Sequence, residues 1–496
     1  MKEAMLQIRI RPYWIQSKPK VGVGGGITYS PGPNTTINAV INPDFSQIES
    51  DAGQISVNST FALYYPEKRP FFMSGMDLLQ TPMYYTRTIN NPLFAAKING
   101  KAGNYHTWHL PPMTNTSVIV PGEEQSNTVT TEERSYAGVA RIRYDMGNEN
   151  FVGTMFLNRN FTGAHNYLGG LDWNLKFWKN WYFQGELFLS HTKEINNTGL
   201  FSNTREFGST GYDAAFNGEK YYGTGMHLAL MKAGRKYNLT LVQNNFSPTY
   251  QTYNGMFPEV NSRTSFMNHR YTFHINKKYI QRIRLGIPAS LGYNYDGVFK
   301  EFNIQPSIYV SMIGQTTLFY SYMPVNQERF RDVLFKGVNR SQFIFETTPL
   351  KGVNVSFSGS AGKYIRRSSA PELGKGYSLD TELSLEPTSW LKTSFSWSTA
   401  RLESIATGDE FYNGHIFRNV TTVQFTRKLF IRGIGEYNTF DESFNIYPLV
   451  SYKFNAFTMF CAGMTRDYLE YNLDDTNMYR TTGHQYFVKL QYLFNL

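Results

Sequence analysis

The run Tyr377-Ser378-Leu379-Asp380-Thr381-Glu382-Leu383-Ser384-Leu385-Glu386 alternates at every step. Tyr377, Leu379, Thr381, Leu383 and Leu385 fall on one side, and Ser378, Asp380, Glu382, Ser384 and Glu386 on the other. Successive side chains of a β-strand point to opposite faces, so the run presents one apolar face and one polar face. The next run repeats the split, with Leu391, Thr393, Phe395 and Trp397 against Lys392, Ser394, Ser396 and Ser398. Working back along the chain, Trp181, Phe183, Gly185, Leu187 and Leu189 oppose Tyr182, Gln184, Glu186 and Ser190. In the run from Tyr136 to Tyr144 the first face has tyrosines at its ends and Gly138, Ala140 and Ile142 between them, as a strand facing lipid should.

A soluble sandwich shows the same alternation, so the number of runs decides. Roughly twenty or more occur, each near the ~9–11 residues a tilted membrane strand needs. Tight links such as Asp145-Met146-Gly147-Asn148 and Lys232-Ala233-Gly234-Arg235 alternate with longer ones at 192–219, 247–264, 324–338, 364–375, 403–414 and 467–483. Short turns at one rim and long loops at the other are the transmembrane-barrel arrangement. The expected fold is all-β: a single domain over residues 1–496, built as a large antiparallel transmembrane β-barrel of roughly 22–26 strands. The segment 111–134, rich in Pro, Asn, Thr and Glu, reads as a solvent loop. Ser30-Pro31-Gly32-Pro33-Asn34 reads as a turn.

One stretch breaks the pattern. Asn42 to Phe72 reads NPDFSQIESDAGQISVNSTFALYYPEKRPFF. It brings Asp44, Glu49 and Asp51 close together, then places Glu67, Lys68 and Arg69 between Pro66 and Pro70. Proline fixes φ and cannot donate to a ladder, so this is a rigid segment outside the sheet. Residues 42–83 are expected inside the lumen or over the periplasmic mouth, as an internal plug. The acidic group has the oxygen chemistry to hold calcium but lacks the glycine and spacing of an EF-hand loop. The alternative is a salt-bridged plug, with Lys68, Arg69 or Arg87 as partners.

The phrases NPDFSQIESD and YYPEKRPFF, with Tyr84-Tyr85-Thr86-Arg87 and Ala95-Ala96-Lys97-Ile98-Asn99-Gly100, resemble a family of outer-membrane β-barrel proteins of unknown function common in Bacteroidota. The match is specific between about Val21 and Gly103. Members usually carry an N-terminal family-9 carbohydrate-binding-like domain ahead of the barrel. The resemblance implies a bacterial outer-membrane location and hints at glycans by association only. It also implies a signal peptide. Met1 to Arg11 has no apolar core of that kind, so the chain is expected to be a fragment, a processed form or a trimmed form.

The last strand, from His484 to Leu496, puts Tyr486, Val488, Leu490, Tyr492, Phe494 and Leu496 on one face. It is similar to the terminal assembly strand of outer-membrane barrels, although many of those end on Phe and here Phe494 is third from last.

Composition agrees with this reading. Aromatic residues make up 16% of the 496, and tyrosine suits a membrane–water boundary. The mean hydropathy of −0.41 fits a barrel with a polar lumen as well as it fits a soluble protein. The net charge of +10 favours anionic partners such as lipopolysaccharide or acidic glycans, or else reflects basic loops and lumen residues. Nucleic acid is a poor reading, since there is no recognition motif and no concentrated Lys/Arg tract. The single cysteine, Cys461, precludes a disulfide within the chain and reads as a small buried hydrophobe.

Chemistry is sparse. No nucleophile elbow, H-E-x-x-H or P-loop occurs. His106 and His109 fall on opposite faces of a strand, and His165, His191 and His227 are scattered over different strands with no motif. No catalytic residue, cofactor or metal ligand is assigned. The expected role is passage, uptake or export of a substrate, or service in an envelope complex. The alternatives are a surface hydrolase of glycans or lipids, with lumenal carboxylates such as Asp380 and Glu382, and a structural barrel with a blocked lumen. Expected partners are membrane lipid, lipopolysaccharide, the barrel-assembly machinery and other envelope proteins.

Overall fold

The computed structural model describes residues 24–42, 51–73, 83–102, 105–109, 114–131, 133–201, 205–455, 458–472 and 477–492. Among these, 27 strands form one antiparallel sheet, and a second sheet has three. Four staves of the large sheet are each split into two strands that continue one another. They are Phe299–Ile304 with Ser307–Met312, Thr317–Tyr322 with Val325–Phe330, Val333–Lys336 with Arg340–Leu350, and Ser443–Ile446 with Leu449–Lys453. Counting each pair once leaves 23 staves among the described residues, within the expected range. Three of the breaks fall at Pro306, Pro324 and Pro448, where the backbone has no N–H to give the ladder.

The alternation read from the sequence sets the two faces. Tyr136, Ile142 and Tyr144 are exposed, while Ala137 and Val139 are buried behind them. Leu187 and Leu189 are exposed, while Ser190 and Thr192 are buried. In the last described strand, Asn477–Tyr492, the expected face holds: Tyr486 is 68%, Val488 72% and Leu490 67% exposed. Tyr492 ends that strand, and Phe494 lies outside the described residues. Apolar side chains therefore face outward and polar ones inward, the reverse of a soluble core and the pattern of a barrel in lipid. No helix of the described residues is long and apolar enough to cross a membrane.

The wall is curved. One segment, 51–91, touches strands that lie far apart in the sheet. It meets Lys97 of Phe94–Ala102, Arg159 of Asn150–Phe161, Ile365 of Val353–Arg366, Arg418 of Glu410–Gln424 and Glu436 of Leu429–Asn438. A sheet can present all of these to one segment only by wrapping around it.

Connections sort by rim. At one rim the links are short, as at 148–149, 234–236, 351–352 and 389–390. The longest excursions, 42–93, 110–135, 194–219 and 247–261, leave from the other. In outer-membrane barrels the short turns are periplasmic. The described parts of the stretch, 51–73 and 83–93, lie between Ile41 and Phe94, which leave the wall at the long-loop rim.

Some expectations are corrected. The segment 111–134 is not a solvent loop. Thr114–Val120 and Asn127–Thr131 pair as a hairpin, Ile89–Asn91 adds a third strand, and Val118, Val120 and Val129 are buried. Stretches 324–338 and 467–483 are mostly strand, because Val325–Phe330 and Val333–Lys336 form their own hairpin and the last two staves run on to Asn472 and from Asn477. The first strand, Gly25–Gly32, runs through Pro31, so the turn shrinks to residues 33–34.

Candidate functional site

The mouth segment begins with two charged networks. Asp51 lies 3.3 Å from Lys68 Nζ and 2.9 Å from Arg87 Nη2, and Arg87 also donates to the Pro66 carbonyl at 2.7 Å. Beside it, Arg69 clasps Glu67 with a fork, Nε to Oε1 at 2.8 Å and Nη2 to Oε2 at 2.7 Å. The same guanidinium donates to the carbonyls of Ile89 (2.6 Å) and Thr86 (2.7 Å), and its centre sits 4.3 Å above the Phe72 ring. Glu67 further accepts from the backbone N–H of Lys68 and Arg69 and from the Thr86 hydroxyl. Burial alone would raise the Glu67 pKa, but the hydrogen bonds and charge of Arg69 hold it below the usual carboxylate value. Of the residues predicted from sequence, Asp51, Lys68 and Arg87 form one network and Glu67 and Arg69 the other. Asp44 and Glu49 lie outside the described residues. Asp51 already faces two cations, and the described residues hold no group of three or more potential metal ligands.

The wall then grips the segment through long-range contacts. Glu436 and Arg418 pair at 2.5 Å; the N–H of Gly53 donates to Glu436 at 3.0 Å, and Arg418 donates to the Asp51 carbonyl at 3.2 Å. A Cβ at Gly53 would sit 2.7 Å from Glu436 Oε1, so a side chain there would have to push that carboxylate aside. Asn58, with a left-handed φ of 65°, donates to the Ile365 carbonyl (2.9 Å) and accepts from the Arg367 N–H (2.6 Å). Lys97, buried in the wall, donates to the Phe71 carbonyl and lies 4.9 Å from the centre of its ring. Arg159, with 0% exposure, donates to the Thr88 carbonyl and to Asn254 Oδ1, both at 3.3 Å. A buried cation costs free energy unless its donors find acceptors; Lys97 finds one on the mouth, and Arg159 finds two through Nη1 and Nη2 while its Nε has none.

The excursion 247–261 completes the closure. Thr252 donates to the Met83 carbonyl at 3.1 Å, and the Tyr85 N–H donates to the Asn254 carbonyl at 2.6 Å. Phe72, Met83, Tyr84, Phe246 and Tyr250 share one buried cluster with wall residues such as Leu157 and Leu168. Beside this plate a polar chamber of about 660 Å³ opens among Glu123, Glu124, Arg205, Lys300 and Arg331. Lys300 bridges Glu123 (2.7 Å) and Glu124 (2.6 Å). In the neighbouring chamber the exposed carboxylate Glu259 stands near Glu301 and Lys300.

Sequence reasoning missed the wall partners. A charge at an inward position between apolar inward neighbours, as Arg159 sits between Leu157 and Phe161, is the signal that could have found one. It also missed a histidine pair. His165 and His191 come together on the outward face, Nε2 to Nδ1 at 3.3 Å, beside Tyr167 and Tyr222. Asp380 and Glu382 are each bonded to a serine, Ser398 at 2.6 Å and Ser384 at 2.9 Å.

Curved wall, apolar outer face, polar inner face and unequal rims together define a bacterial outer-membrane β-barrel. The family described as a domain of unknown function (DUF5916) matches residues 10–111, the part that contains most of the mouth segment. No curated protein matches the chain. Among solved structures, the FrpB iron transporter from Neisseria meningitidis (F3-3 variant) is similar over 80% of this chain and 78% of its own, with a TM-score of 0.50 and 8% identity. The copper transporter OprC (0.48, 11% identity; 81% and 79% covered) and the siderophore receptor PiuA from Acinetobacter baumannii (0.45, 9%; 81% and 80%) are also similar. At such identities the FrpB likeness speaks to the fold alone.

Proposed function

We propose that this chain is an outer-membrane uptake or export barrel whose lumen is shut by the segment 51–91 acting as a plug. The observation that carries the reading is how the segment is held. Its described residues add no strand to the wall; they are fixed by separate contacts, chiefly Arg418–Glu436 to 51–53, Asn58 to 365–367, Lys97 to Phe71 and Arg159 to Thr88. Such contacts release one by one, whereas a strand in register does not. The rim position supports a gate facing the long loops. The outward Tyr486, Val488 and Leu490 support handling of the last strand by the barrel-assembly machinery and contact with membrane lipid. Lipopolysaccharide and other envelope proteins are further proposed partners. The acidic start of the plug, with Asp44 and Glu49 beside Asp51, is the proposed place for calcium if the barrel takes one.

The test is planar-bilayer conductance of the refolded chain with and without the plug. Ile41 and Phe94 are register partners, so residues 43–92 can be replaced by Asn-Gly, which suits a two-residue hairpin turn. A closed intact chain and a conducting deletion are expected. No current from either, with β structure intact by circular dichroism, would sink the transport reading in favour of a structural or enzymatic barrel.

A further inference from the structure

Near the short-turn rim the lumen wall holds cations that the mouth does not use. The strand Ser262–His274 turns Met267, Tyr271 and Phe273 outward, which puts Arg270 on the inward face. Its neighbour, Ile280–Tyr293, turns Leu285, Ile287 and Leu291 outward and Arg282 and Arg284 inward. In the register between them, Arg270 faces Gly286, Thr272 faces Arg284 and His274 faces Arg282. The three guanidinium groups therefore rise from adjacent inward positions just above the turn 275–279. Tyr309, on the next stave, underlies them, with Arg284 Cζ 5.1 Å from its ring centre. Gly286 keeps the floor low, since a Cβ there would meet Ser307 Oγ at 2.8 Å and Arg270 Cγ at 3.4 Å.

Other inward cations face carboxylates, as Arg141 with Asp172 (2.5 Å), Arg143 with Asp145 (2.6 Å) and Arg418 with Glu436 (2.5 Å), or carbonyl oxygens, as Lys97 and Arg159 do. Arg270, Arg282 and Arg284 differ. Among the described residues none of them pairs with a carboxylate, and Nε of Arg270 and of Arg282 is buried without an acceptor, as it also is at Arg141 and Arg159. The charges that press most on Arg284 are those of Arg270 and Arg282, both repulsive. Three like charges on neighbouring positions, with planar donor forks and no protein acceptor, are suited to an oxyanion.

We propose that Arg270, Arg282 and Arg284 form a binding site for a phosphate-type oxyanion inside the lumen. As a station for a passing solute the site rests on the transport reading; as a binding site it does not. It selects for solutes that carry a phosphate or sulfate group, or for the free ion itself.

The test is isothermal titration of the intact chain, refolded in detergent at fixed ionic strength. The probes are inorganic phosphate, a sugar phosphate monoester and chloride. Saturable binding of at least one phosphate probe but not of chloride is expected, weakened at least tenfold in R282Q/R284Q and partly restored in R282K/R284K. Tighter binding of the monoester marks a solute-borne group, and tighter binding of inorganic phosphate the free ion. Absence of saturable binding in a barrel that circular dichroism shows to be folded overturns the proposal, and so does equal binding by the double-glutamine variant. The anion-to-cation permeability ratio of the plug-deleted barrel then separates the two readings. Binding without conduction upholds the site and counts against transport.

Discussion

Arg418 and Glu436, on neighbouring strands, pair at 2.5 Å and each holds the mouth segment by one hydrogen bond, Arg418 to the Asp51 carbonyl and Glu436 to the Gly53 N–H. The pair is almost fully buried. Replacing Glu436 by Gln leaves the Arg418 charge without its carboxylate, a loss of about 3–5 kcal/mol for a buried pair. Faster hydrogen exchange over residues 51–58 is expected, with the barrel strands unchanged. Gly53→Val should do the same by steric conflict with Glu436. Unchanged exchange in both variants would show that this clamp does not hold the segment.

Arg159 gives a second handle. Its substitution by Leu leaves the Thr88 carbonyl and the Asn254 amide oxygen short of a donor, at about 1–3 kcal/mol each if they stay buried. Spontaneous current bursts are expected from Arg159→Leu in planar bilayers, where the parent chain stays closed. An equally quiet variant would remove Arg159 from the closure.

Acidity should tighten the mouth. Burial, with the charges of Glu219 and Asp213, raises Glu194 from its ordinary 4.5 to about 7, although Tyr221 donates to it at 2.7 Å. A carboxyl group raised on folding favours the folded mouth while protonated. That contribution is complete below about pH 4.5 and is lost as pH rises through about 7. Exchange protection of the residues around Glu194 and Tyr221 should fall between pH 5 and pH 8, and Glu194→Gln should flatten the change. A profile in Glu194→Gln identical to that of the parent would assign the effect elsewhere.

The outward face sets a fourth expectation. Leu187→Arg puts a charge near the middle of a lipid-facing strand, at about 2–4 kcal/mol. Reduced yield of heat-modifiable folded barrel on gels is expected. Ser396→Arg, on the lumen side, should fold as the parent does. Equal yields would contradict the assignment of faces.

The staves were legible because alternation is local: ten residues such as Tyr377–Glu386 carry their own faces. The ion pair of Asp51 with Arg87 could be anticipated, since both signs occur within one stretch. The grip of Glu436 on Gly53 could not, because 383 residues separate them and nothing near either names the other. The hairpin Thr114–Val120 with Asn127–Thr131 was hidden by polar, proline-bearing neighbours, although its valines are buried by other excursions. His165 and His191 lacked a motif because a register, not a spacing, brings them together.

The pairing of Ile41 with Phe94 has a bearing on kinetics. Ile41 and Phe94 lie on adjacent strands at one rim, so if the segment between them acts as the proposed plug, a displaced plug would remain tethered over the opening it left. Return is then a first-order event, driven by an effective concentration of order millimolar and independent of how many barrels the membrane holds. On the proposed reading, such a gate would reset itself after each passage, and a ligand that kept it open would have to outcompete a neighbour that never diffuses away.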